Sequence, residues 1–102
     1  TPRVATQLRA RCAAKGDAWE GRVLSLSENG CLFRTSESIL LGQRLQLELV
    51  MPQSDPIAVD AEATYQLLPD TGLVFQAVEP ANREALSRFV QRTIMGAQPA
   101  SA

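Results

Sequence analysis

Apolar and polar residues alternate over residues 4–13. Thr6, Leu8, Ala10 and Cys12 fall on one side, and Gln7, Arg9 and Arg11 on the other. A period of two marks a half-buried strand. Lys15-Gly16-Asp17 reads as a turn. Residues 18–26 give a second strand with Trp19, Gly21, Val23 and Ser25 on one face. Residues 25–30 (SLSENG) are a polar loop in which Asn29-Gly30 is a strong turn signal. Residues 31–34 form a short third strand, and Leu41-Gly42 breaks the chain before the fourth. Residues 44–51 set Leu45, Leu47, Leu49 and Met51 against Arg44, Gln46 and Glu48. After the loop at 52–56, Ile57, Val59, Ala61, Ala63, Tyr65 and Leu67 share one face of a long fifth strand. Pro69-Asp70-Thr71-Gly72 turns the chain into a sixth at residues 73–78.

The period then changes. Over residues 81–95, Ala85, Leu86, Phe89, Val90, Thr93 and Ile94 form one helical stripe. Pro80 or Asn82 supplies the start and Gly96 the stop. Six short strands at regular spacing predict a mainly β fold, a six-stranded antiparallel β-barrel with a C-terminal helix across an opening or flank. Residues 1–96 read as one domain and 97–102 as a flexible tail.

Composition narrows the function. The chain has 102 residues, 45% of them hydrophobic and 21% charged, enough for one core. A formal net charge of -1 argues against a clamp for a nucleic-acid polymer. Aromatics at 5% are too few for a barrel that stacks single-stranded bases, the weakest of the readings open here. Trp19, Phe33, Tyr65, Phe75 and Phe89 read as packed core instead. The absence of histidine removes Ser-His and Cys-His catalysis and His-ligated metal. Asp55, Asp60 and Glu62 have no catalytic spacing, so no enzyme, metal site or cofactor is expected. Cys12 and Cys31 read as two free, partly buried thiols of a reducing cytoplasm. No apolar run nears membrane-span length, and the start lacks the features of a signal peptide. Thr1 follows either a removed Met or a longer parent chain.

Charge is segregated along the sequence. Residues 1–34 carry six basic and three acidic side chains, residues 35–79 one and seven, and residues 80–102 three and one. The positive first segment holds the SLSENG loop, a pattern that suits a small anion better than a long polyanion.

Here the sequence resembles the PilZ family, bacterial receptors for cyclic di-GMP. Thr1-Pro2-Arg3-Val4 looks like the end of the family's R-x-x-x-R motif, with Arg3 as the second arginine. Residues 21–30 (GRVLSLSENG) resemble the strand entering its D/N-x-S-x-x-G loop, with Ser25 at the acidic or amide position, Ser27 at the serine and Gly30 at the glycine. Residues 41–49 (LGQRLQLEL), Pro52 and residues 71–75 (TGLVF) echo its later strands. The likeness spans nearly the whole chain and implies the barrel already read from periodicity.

It also implies a ligand site. Arg3 would fork onto phosphate oxygens or stack on a purine. Ser25 and Ser27 would offer hydroxyls, and Gly30 would let the loop approach the ligand. Arg9, Arg11 and Arg22 are further candidates to border it. Two departures stand out. The first arginine of the motif would precede Thr1, and Ser25 cannot accept two guanine donors as a carboxylate does. Two functions follow: a module that binds cyclic di-GMP and relays its level to a protein partner or neighbouring domain, or a degenerate PilZ domain that binds no nucleotide and serves as a protein–protein adaptor. The resemblance implies a bacterial cytoplasmic setting for either.

Overall fold

The computed structural model describes residues 2–97. Its elements are β1 (Val4–Ala14), β2 (Asp17–Leu26), β3 (Gly30–Arg34), β4 (Arg44–Leu49), β5 (Ile57–Leu67), β6 (Asp70–Gln76) and α1 (Pro80–Ala97). The strands close into a barrel in the order β1-β2-β3-β6-β5-β4, every pair antiparallel. The expected architecture is therefore the observed one.

Alternation explains the core. Ala10, Cys12, Leu45, Leu47, Leu49, Ile57, Val59, Ala61 and Ala63 are all buried, while Arg9, Arg11, Arg44, Gln46, Ala58 and Asp60 between them face solvent. Lys15 and Gly16 both have positive φ, 52° and 85°, and join β1 to β2 in a two-residue hairpin whose twist matches the strands. Pro80 opens α1 at the position where its missing N–H costs nothing. The helical stripe meets the core: Leu86 and Val90 are fully buried in it, with Ala85, Phe89 and Ile94 packed against it. Antiparallel order brings the end of β2, the start of β3, the β4–β5 loop and the start of α1 to one mouth of the barrel.

Four expectations are corrected. Ser25 does not share a face with Val23, because a bulge falls between them and Leu26 becomes the next inward residue. A second bulge, between Ala63 and Tyr65, ends the inward run of β5. Tyr65 and Leu67 are therefore exposed rather than core, and the Tyr65 ring lies over Gly72 on the outer surface. The last turn is Leu68-Pro69, joined by a cis peptide, and Asp70, Thr71 and Gly72 already belong to β6. Gly96 does not stop the helix, which runs through it to Ala97; the rest of the expected tail, 98–102, lies outside the described residues.

Cys12 and Cys31 are unpaired and buried. Burial pushes the Cys12 thiol up to about 11. It pushes Cys31 to about 12, against a smaller opposing pull from the Arg3 charge. Trp19 packs against the core as expected, but its buried Nε1 has no hydrogen-bond partner among the described residues.

Candidate functional site

The site begins where β1 starts and β2 ends. Register sets Val4 opposite Leu26 and Ala5 opposite Ser25. The β2 bulge turns Ser25 away from the core while Val23 and Leu26 stay inside. The Thr6 hydroxyl donates to the Val23 carbonyl. Just before β1, Arg3 Nη1 donates to Ser25 Oγ at 2.9 Å. Two motif positions 22 residues apart in sequence thus meet on the barrel's outer surface.

The loop is internally bonded. Ser27 N donates to the Gly30 carbonyl at 2.9 Å, and the Ser27 hydroxyl donates to the same oxygen at 3.4 Å. Ser27 Oγ in turn accepts from Asn29 N at 3.2 Å. The Ser27 side chain is only 4% exposed, so it shapes the loop from within. Neither Asn29 nor Gly30 has positive φ, so a left-handed hairpin turn is not why glycine stands at position 30. Gly30 pairs with Val74 of β6, and a Cβ there would run into the Leu73 carbonyl oxygen. Close strand approach is the reason for the missing side chain. Asn29 ties the loop to the rest of the mouth. Its carbonyl accepts from Phe75 N at 2.8 Å, and its Oδ1 accepts from Arg83 Nη1, in the first part of α1, at 3.3 Å.

Further along the same strands, Arg9 faces Arg22 and Arg22 faces Arg34, a row of guanidinium-bearing positions across three strands. Asp70 neutralises Arg34 through bonds of 2.6 Å and 3.1 Å. That contact also raises the Arg34 pKa. Arg9 and Arg22 have no such acid among the described residues. They sit three to four residues from the Ala5–Ser25 pair, about 10–13 Å along the strands. Arg11 is farther still and leans to β4, where Nη1 lies 3.8 Å from Glu48. The structure thus gathers Arg3, Ser25, Ser27 and Gly30, places Arg9 and Arg22 beyond them on the same face, and sets Arg11 apart. Sequence reading missed Asn29–Arg83 and Arg34–Asp70; both depend on strand register and helix placement, which no local pattern carries. No group of three or more Cys, Asp or Glu side chains among the described residues is arranged to hold a metal.

The fold and site define a class: a small closed β-barrel that presents an arginine arm beside a serine- and glycine-bearing loop. The chain belongs to the PilZ domain family, whose model matches residues 1–92. This is a family of cyclic di-GMP-binding domains that act as regulatory receptors or adaptors rather than enzymes. No curated protein matches the sequence. Solved structures share its fold. The Bacillus subtilis inhibitor of motility MotI/DgrA superposes with a TM-score of 0.83 at 14% identity, over 95% of this chain and 51% of that one. This chain therefore spans about half of that protein. The PilZ domain of YcgR from Escherichia coli, determined with c-di-GMP, gives 0.75 at 17% identity over 93% and 90%. The PilZ domain of CeSA from a cellulose-synthesizing bacterium gives 0.71 at 10% identity over 90% and 97%.

Proposed function

We propose that this domain binds cyclic di-GMP on its outer surface through Arg3 and the Ser25–Gly30 loop, and relays the second messenger's level to a protein partner or adjoining domain in the bacterial cytoplasm. The observation that supports it is the 2.9 Å contact between Arg3 and Ser25, which joins the two motif halves. One guanidinium nitrogen is engaged there, and the remaining donors can fork onto phosphate oxygens. Arg9 and Arg22 extend the positive field along the face and favour encounter with an anion. The Ser25 hydroxyl accepts fewer guanine donors than a carboxylate, which weakens affinity by roughly 1–3 kcal/mol, about ten- to a hundredfold. A signal has a short path to α1: the loop is bonded to the helix through Asn29 and Arg83.

A second reading keeps the fold and drops the nucleotide. Ser25 already accepts from Arg3, and Leu67 and Leu68 are 59% and 83% exposed at the β5–β6 tip. A domain so built can serve as an adaptor that docks a protein. Calorimetric titration of cyclic di-GMP decides between them. Saturable heat that weakens at least about tenfold in Arg3→Ala supports the receptor. No heat from the wild-type chain at millimolar ligand leaves the adaptor.

A further inference from the structure

A groove of about 460 Å³ lies between the β4–β5 loop and α1. Its volume is in the range of small-molecule sites, roughly 300–1,000 Å³. Met51 and Phe89 give it an apolar floor; Met51 belongs to the core and Phe89 packs against it. Its rim carries Arg88 and Arg92, and no carboxylate among the described residues lines it. The two arginines are four residues apart on one side of the helix, where like charges repel. Only one has an acidic partner among the described residues. Arg88 lies 3.5 Å from Glu84, with both side chains well exposed, a pairing of little strength. Arg92 has none.

We infer that this groove is a second ligand site, separate from the Arg3 loop, for a small amphiphilic anion: a carboxylate, sulfonate or phosphate monoester on an aromatic or branched apolar body. The anionic head fits the rim, where planar guanidinium forks bond oxyanions in pairs and an anion relieves the Arg88–Arg92 repulsion. The apolar body fits the floor, where a ring gains edge or offset contact with Phe89 and sulfur contact with Met51. A bare phosphate leaves the floor wet, and a neutral hydrocarbon leaves Arg92 without an anion. The amphiphile satisfies both. Arg92 lies nine residues after Arg83, about two and a half turns on, and so on the opposite side of α1 from the contact with Asn29.

Anilinonaphthalene sulfonate, an aromatic anion, is the probe. The full chain carries two methionines, so methyl-labelled Met51 and Met95 report location. The expected result is a saturable one-to-one fluorescence rise, with Met51 shifting in step. Replacing both arginines (Arg88→Gln, Arg92→Gln) weakens it at least about tenfold, as loss of charge-assisted bonds does. Leu68→Ser, at the exposed tip far from the groove, leaves it unchanged. Inorganic phosphate alone competes weakly. A rise that survives the arginine replacements, one abolished by Leu68→Ser, or no rise with the folded protein overturns the site. None of these outcomes bears on cyclic di-GMP, which is titrated separately.

Discussion

Gly30→Ala separates two explanations for one glycine. If position 30 were glycine for the sake of a left-handed turn, alanine would cost about 1 kcal/mol. The backbone there has negative φ, and the obstacle is the neighbouring strand. A methyl at position 30 collides with the Leu73 carbonyl oxygen, and the Leu73 carbonyl carbon and Val74 Cα stand at 3.4 Å behind it. These are backbone atoms in a closed barrel, so no side-chain rotation relieves the clash. β3 must move off β6, and the 2.8 Å bond from Phe75 N to the Asn29 carbonyl lies at the end that moves. Overpacking of this kind costs about 1–3 kcal/mol, and a weakened hydrogen bond adds about 0.5–1.5 kcal/mol. The sum, about 1.5–4.5 kcal/mol, is a large share of a small domain's stability of about 5–15 kcal/mol. At about 4–8 °C per kcal/mol for a chain this size, Tm falls by roughly 6–36 °C. Thermal unfolding followed by circular dichroism measures it. Gly42→Ala is the comparison: φ there is +84° with open space around it, so only the conformational cost of about 1 kcal/mol applies. A Gly30→Ala Tm within a few degrees of wild type, or no lower than that of Gly42→Ala, refutes the close-approach argument.

Two further outcomes follow from buried groups. The Cys12 and Cys31 thiols ionise near 11 and 12 when folded, against 9.0 as the ordinary value. The folded state therefore holds these protons more tightly than the unfolded one, so the stability they confer is complete below pH 9 and is lost as pH rises toward 11–12. Urea midpoints should decline above pH 9 in the wild type and decline less in a Cys12→Ala, Cys31→Ala double variant. Trp19→Phe removes a buried donor that has no partner among the described residues, whose desolvation costs about 1–3 kcal/mol, in exchange for a smaller apolar surface. Its urea midpoint should equal or exceed the wild-type value; a drop of more than about 1 kcal/mol in unfolding free energy shows that the indole's packing outweighs its stranded N–H.

Alternation made most of the barrel legible. Leu45, Leu47, Leu49 and Met51 read as inward residues and are inward. The misses cluster at bulges. Nothing local distinguishes Leu24 as the residue that reverses β2, or the stretch from Ala63 to Tyr65 as the place where β5 stops facing inward. A bulge is set by two strands together, and its partner lies elsewhere in the chain. The loop was legible as a loop, yet the reason for its glycine was not, because Leu73 is more than forty residues away. Arg3 and Ser25 could be paired only through motif likeness; their contact rests on the β1–β2 register.

The closed strand order also governs how the chain comes off the ribosome. β3 has β2 on one side and waits for β6 on the other, so the whole of β4 and β5 is synthesised before its second edge is covered. Until residue 76 has emerged, β3 and β5 both present open edges, the template on which partly made sheets join their neighbours. β3 and β5 hold Cys31, Phe33, Val59 and Ala61, all destined for the interior. Among the described residues each strand of the finished domain has a paired neighbour on both sides, whereas the same chain truncated before β6 leaves β3 and β5 each with an uncovered side and should be prone to aggregate.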